Sequence, residues 1–316
     1  MTARRGVAAA CSVITLGLAA LAGGAAAAGK APASLDGVWT NLTETPLERP
    51  AGFDGLTMSD ASAAAFVAAR RKEDEDLGDG VGKTEWLARS GQMTRIGGKA
   101  RTSLITVPAD GRLPMTDYGK ALVQTAFKER LTRMDNPETR PAPERCMMAG
   151  WGANAVPMMP AGDNGGYRIV QTRDAIAIWT ESGRDPRIIR LNVHEHLPDF
   201  IRPWMGDSIG HWEGRTLVVE TTNFNPGEGF KSPRPLYISS AAKVTERFTR
   251  TSAGEIRYAF TVEDPKTYAQ PWQGEEVWRI LRAPLFEFAC HEGNYAAPGI
   301  LAGARYEERA AQAAAK

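Results

Sequence analysis

Cysteine and histidine are scarce in this chain, with three and four copies in 316 residues. There is no paired Cys-x-x-Cys, no glycine-rich phosphate loop and no dinucleotide fingerprint. These absences exclude an iron–sulfur cluster or a nucleotide cofactor, and no cofactor is expected. Neither sign of charge dominates, since the formal net charge is +1. No basic cluster interrupts that balance, which argues against nucleic acid as a partner and against electrostatic adhesion to anionic lipid. Hydrophobic and charged fractions are ordinary for a globular protein.

The one long apolar run is at the start. Arg4 and Arg5 precede an apolar stretch from Val7 to Leu21 and a small-residue tract from Gly23 to Ala28. Ala26-Ala27-Ala28 fits the small-x-small cleavage rule, so residues 1–28 read as a signal peptide and the mature chain starts near Gly29. A transmembrane anchor is the alternative. The run is short, rich in Ala and Gly, and followed by no stop-transfer pattern, so no membrane insertion is expected after cleavage. Arg4-Arg5 also allows twin-arginine export, although Gly6-Val7-Ala8 fits that route poorly. Removing residues 1–28 removes two arginines and no acids, which takes the net charge from +1 to −1. Cys11 leaves with the leader. In an oxidising periplasm the remaining Cys146 and Cys290 read as a disulfide, with two buried thiols as the rival.

The body reads as mainly β within an α+β arrangement. Residues 29–143 form an N-terminal part, 144–299 an antiparallel β body and 300–316 a C-terminal helix. Leu35 to Asn41 alternates as a first strand. Ser59 caps a helix through about Lys72, and Thr116 caps a second to about Met134. The acidic Glu73-Asp74-Glu75-Asp76 and the glycines from Gly78 to Gly82 read as a solvated break, since calcium-loop spacing is missing. Arg101 to Val107 is a strand closed by the turn Ala109-Asp110-Gly111-Arg112. Residues 135–166 are irregular and hold five prolines. They read as a coil over the core, or as a lid whose methionines and Trp151 line a pocket. Short strands then follow at 167–172, 175–181, 187–192, 207–212, 216–222, 243–250, 255–262 and 275–282, joined by turn residues. That order predicts a meander closing into a lipocalin-like barrel, with two N-terminal helices and the Pro-rich loop over one end.

The run Trp204-x-Gly206-Asp207-Ser208-x-Gly210-x-Trp212-Glu213-Gly214, followed by Thr216-Leu-Val-Val-Glu-Thr-Thr-Asn-Phe224, resembles a large family of secreted bacterial proteins of uncharacterised function. So do Glu246-Arg-Phe-Thr-Arg250, Thr261-Val262-x-Asp264-Pro265 and Cys290-His-Glu-Gly-Asn-Tyr295. The resemblance covers roughly residues 144–308. It implies an exported β-rich protein and no particular activity. The family's typical stretch has an arginine where His194 stands and keeps only the counterpart of His196. Its turn reads Trp-Glu-Gly-Asp, where this chain has Arg215.

Four groups of residues could carry chemistry. His194 and His196 have metal-ligand spacing on a strand, with His211, His291 or Asp207 as a third ligand. The family's departure at 194, the following Pro198 and the missing cupin spacing weaken that reading, so no metal is assigned. His291, beside Glu292, can act as a general base, with Asp207, Glu213 or Glu220 as partner. A structural role for these groups is the alternative. Ser208 lacks the strand-to-helix turn of a nucleophile elbow. Trp179, Trp204, Trp212, Trp272, Trp278 and Tyr258 are either core or the lining of a lumen. Glu220 is a raised-pKa carboxylate if its face turns inward and ordinary surface if outward.

These readings converge on a periplasmic or secreted barrel that binds a small apolar or aromatic ligand in its lumen. The expected ligand contacts are Trp204, Trp212, Tyr295 and Glu292. The alternatives are a cofactor-independent hydrolase or lyase, with His291, His196, Asp207 and Glu220 as catalytic candidates, and an envelope structural protein.

Overall fold

The structure is a computed structural model that describes residues 34–76, 90–141, 144–147, 156–160, 165–181, 183, 186–226, 230–231 and 236–315. The leader 1–28, the glycines after Asp76, and Trp151 lie outside these residues. In chain order the elements are β1 (Gly37–Thr40), β2 (Thr57–Met58), α1 (Asp60–Asp76), β3 (Arg95–Ile96), β4 (Lys99–Arg101), β5 (Ile105–Val107) and α2 (Asp117–Thr132). Then come β6 (Gly166–Gln171), β7 (Ala175–Thr180), β8 (Arg187–Leu191), β9 (Asp207–Glu213), β10 (Thr216–Thr222), β11 (Phe230–Lys231) and β12 (Leu236–Tyr237). The last are β13 (Lys243–Ser252), β14 (Glu255–Glu263), β15 (Trp272–Ile280) and α3 (Ala296–Ala314).

The protein is mainly β, and nine strands close into a barrel in the order β1-β6-β7-β8-β9-β10-β13-β14-β15, sealed by β1 on β15. Closure removes the exposed edges that a sheet of this length would otherwise present. The fifth strand, β5, joins the outer part of the β15 edge at Gln273 and Gly274. The expected Arg101–Val107 strand is split: β4 belongs to a separate three-stranded sheet with β2 and β3, and β5 to the barrel sheet. Ser59 Oγ accepts from the Ser62 amide at the start of α1. Ala63 in α1 is buried, and Phe66 and Val67 pack with it on Met58, Met93 and Ala100. That places α1 on the small sheet. Thr116 Oγ1 caps α2 through the Gly119 amide, and α3 starts at Ala296, four residues before the expected 300.

The strict meander fails at one pair. β8 and β9 run parallel, with Ile189 opposite Ser208 and Leu191 opposite Gly210. A hairpin cannot join parallel strands, so residues 192–206 must travel the whole length of the barrel to start β9 at the rim where β8 began. At that rim β6, β8, β9, β13 and β15 begin, and β1, β7, β10 and β14 end. The rim is where the candidate site forms.

Alternation decides what fills the barrel. Ile176 and Ile178, Ile189 and Leu191, Leu217 and Val219, Val244 and Phe248, and Ile256, Tyr258, Phe260 and Val262 are buried on the inner faces. Tyr167 stacks on Trp278 at 4.4 Å between ring centroids, and Phe248 meets the same indole edge-on at 5.6 Å. Burial on this scale is the main stabilising term of the fold. Of the six aromatics considered above, Trp272, Trp278 and Tyr258 are core, Trp212 packs partly against it, and Trp179 is 49% exposed.

Candidate functional site

The interior also holds charge. Arg187 and Glu246 are 1% and 0% exposed and form an ion pair through both terminal guanidinium nitrogens. Arg187 also donates to Ser208 Oγ and Thr221 Oγ1, at 3.1 and 3.0 Å. Tyr258 donates its hydroxyl proton to Glu246 Oε1 at 2.7 Å and accepts from the Met158 amide at 2.9 Å. Met158 therefore enters the barrel at the rim. Burial, then the Glu246 charge, pushes the Tyr258 hydroxyl well above its ordinary value. Beside this network Glu276 Oε1 accepts from Asn41 at 3.0 Å and from the Trp278 indole at 2.6 Å. Ser208 Oγ accepts from Arg187 and shares a hydrogen bond with Thr221 Oγ1.

Glu220 lies on the opposite face from buried Leu217, Val219 and Thr221, and its side chain is 42% exposed. Glu246 on β13 is turned inward, whereas Glu220 is turned outward. On the outer face Glu220 joins an alternating row of charges. Lys243 sits 3.6 Å from Glu263 and 3.5 Å from Glu220, and those two carboxylates raise its pKa. Glu220 Oε1 lies 3.3 Å from His196 Nε2, and His196 Nδ1 lies 2.8 Å from Asp207 Oδ2. Arg190 Nη2 reaches both Asp207 oxygens, at 3.0 and 2.9 Å.

Asp207 is the hub. It is 6% exposed and begins β9 where the long crossover returns to the rim. Burial alone would raise its pKa. The Leu197 amide, His196 and Arg190 outweigh burial and hold it below the usual carboxylate value. The crossover is fixed from the other side by Asn223, whose Nδ2 donates to the Leu197 carbonyl at 2.7 Å. Gly206, at φ +74°, lets the chain turn into β9, and a Cβ there would stand 2.7 Å from the Thr222 carbonyl oxygen. The Gly206-Asp207 pair thus combines a required turn with an anchoring carboxylate.

Beside this hub the rim opens into a cleft of about 400 Å³. Its walls are largely apolar, with Met147, Ile188, Leu197, Trp204 and Met205 beside Arg187, Arg190, Asp207 and Ser208. Met147, Trp204 and Met205 also pack on one another. Cys146 and Cys290 are bonded, with Cα atoms 5.7 Å apart, and that bond ties Met147's segment to the chain before α3. On the far side of residues 144–147 lies a second groove, bordered by Glu144, Arg145, Cys290, Glu292, Ile300 and Leu301.

Among the expected site residues, His196, Asp207 and Glu220 meet, and Trp204 lines the cleft beside them. His291 does not line this cleft; it is exposed on the turn after Cys290. Glu292 lines the second groove, and Tyr295, 83% exposed, precedes α3. Trp212 lies toward the opposite end of β9 from Asp207. His194 is exposed, and residues 192–206 contain no strand, so the shared-face geometry assumed for His194 and His196 is absent. His211 pairs instead with Glu213 at 3.3 Å. Among the described residues no group of three or more His, Cys, Asp or Glu is arranged to hold a metal ion. The residues that sequence reasoning missed are Arg190, Met205 and Leu197, whereas Met147 is one of the methionines of residues 135–166 read as a possible pocket lining. Arg190 alone left a signal: in the Arg187–Leu191 strand it falls on the face opposite Ile189 and Leu191.

Comparison with protein-family models, with curated proteins and with solved structures returned no match for this chain.

Proposed function

We propose that this protein is an exported binding protein for a small ligand with an apolar or aromatic body, held in the rim cleft. The cleft carries the reading: its size falls within the roughly 300–1,000 Å³ typical of ligand sites, and it combines apolar walls with a few fixed polar groups. The lumen is the weaker location, because Trp39, Tyr167, Phe248, Tyr258 and Trp278 and the Arg187–Glu246 pair fill it among the described residues. The barrel is lipocalin-like in offering a ligand site at its mouth. Export is supported by the leader pattern and by the disulfide, which oxidising compartments preserve. The motifs shared with a family of secreted bacterial proteins agree with it.

Titration with the neutral fluorescent probe N-phenyl-1-naphthylamine tests this function. Saturable binding weakened about tenfold in Trp204→Ala is expected, since a contact of about 1.4 kcal/mol is tenfold in affinity. The absence of saturable binding overturns the proposal.

The His196–Asp207 contact supports a second reading, acid–base catalysis in a hydrolase or lyase. Asp207 orients the imidazole through Nδ1 as a catalytic carboxylate does, although Nε2 faces Glu220 rather than a nucleophile. Under this reading His196→Ala removes turnover by roughly 10²–10⁴ and leaves probe affinity intact. A variant with unchanged turnover on ester and lactone panels rejects it. The filled interior supports the remaining alternative, an envelope structural protein without a ligand.

A further inference from the structure

We infer that the ligand of the rim cleft carries a linear hydrocarbon chain, which leaves the cleft over Ile188 and lies along the outer wall of β8, β7 and β6. This rests on the binding function proposed above and adds the shape of the ligand's apolar body.

Ile188 belongs to both surfaces. It lines the cleft, yet it alternates with buried Arg187 and Ile189, faces outward and is 48% exposed. Ala177 on β7 is its cross-strand partner, and Val170 on β6 is the partner of Ala177. Trp179 shares the outward face of β7 with Ala177. Val170 and Trp179 are 42% and 49% exposed. A barrel filled from its inner face has polar residues outward where the wall meets only water. The outward positions of β13 obey this, with Lys243, Thr245, Arg247 and Thr249. The wall beside the cleft does not. Its apolar strip is bounded by Arg168, opposite Trp179, and by Arg190, opposite Ala175.

Neighbouring strands lie about 4.8 Å apart, so the row from Ile188 to Val170 runs roughly 10 Å beyond the cleft wall. An exposed apolar patch with a polar border marks an interaction surface. Here it continues a cavity, so the ligand that covers it is one longer than the cavity. A linear chain suits a narrow strip that is open on one side, because each added methylene finds one apolar neighbour. A compact aromatic body would fill the cleft and gain nothing from Val170 or Trp179.

The test uses the full chain and 1-alkanols of even length from hexanol to tetradecanol, each below its solubility limit. Displacement of N-phenyl-1-naphthylamine reads affinity. Full burial tightens binding about fourfold per methylene, and one-sided cover by the strip should give about twofold per methylene up to tetradecanol. Val170→Ser with Trp179→Ser, both exposed and outside the cleft, should flatten the gain from decanol to tetradecanol and leave hexanol affinity unchanged. A plateau beyond octanol in the unmodified protein, or a gain that the double variant leaves intact, overturns the inference and leaves the binding function standing. So does a bound probe that no alkanol displaces. If the probe itself does not bind, the binding function fails. A dimer in sedimentation that Trp179→Ser dissociates, without a chain-length gain, would assign the strip to a second copy and overturn the inference.

Discussion

Arg187→Met cuts the buried network at its only cation among the described residues. In the folded protein Arg187 donates to Glu246, Ser208 and Thr221. After substitution Glu246, 0% exposed, keeps the Tyr258 hydroxyl as its remaining described donor. A buried carboxylate that loses its ionic partner destabilises a protein by about 3–5 kcal/mol. At roughly 2–4 °C per kcal/mol for a chain of this size, the melting temperature should fall by about 6–20 °C. Arg187→Met with Glu246→Met removes both desolvation penalties and replaces them with apolar volume, so the double variant should regain most of the loss. Urea unfolding followed by circular dichroism measures all four corners of the cycle. A loss below about 1 kcal/mol for Arg187→Met, or additive losses in the double variant, would refute a desolvated pair at the barrel rim.

Three further outcomes follow from the site. Asp207 has its pKa lowered on folding, so its contribution is fully present above the unfolded value of about 3.9 and disappears as pH falls through the lower folded value. Asp207→Asn should therefore destabilise at pH 7, and the difference from the unmodified protein should shrink as pH falls below the unfolded value of about 3.9, which melting curves across pH will show. Gly206→Ala forces a side chain into the left-handed region and against the Thr222 carbonyl, and should cost about 1–3 kcal/mol by urea unfolding. Reducing Cys146–Cys290, which closes 144 residues, should lower stability by about 4–5 kcal/mol in the chain-entropy model, read as a drop in the urea midpoint.

Much of the barrel was legible because its strands alternate. Leu217, Val219 and Thr221 alternate with Val218, Glu220 and Thr222; the first set is buried throughout, and in the second only Val218 is. The ambiguity over Glu220 arose because both sets contain apolar and polar residues, so only the neighbours decide. The same periodicity held an unread signal. Glu246 falls between Val244 and Phe248 on one face, and Arg187 shares a face with Ile189 and Leu191. A charge in phase with apolar residues marks a buried ion pair.

The parallel β8–β9 pair was illegible because nothing local in residues 192–206 distinguishes a crossover from a hairpin loop. His196 thus came to Asp207 by topology, eleven residues apart in sequence, instead of through the strand geometry assumed for His194 and His196. β15 starts at Trp272, earlier than expected at 275, because pairing with Val262 extends it. The cleft depended on Met147 and Trp204 meeting through the disulfide and the crossover together, a long-range contact that spacing does not encode.

The location of the ligand is the central claim, and photolabelling tests it most directly. An apolar diazirine probe is irradiated with the full chain and the adducts are mapped by peptide mass spectrometry. Adducts on residues 144–147 and 203–208 are predicted. Adducts on the inward residues Phe248, Tyr258 and Trp278, or labelling scattered without saturation, would contradict a ligand site at the rim.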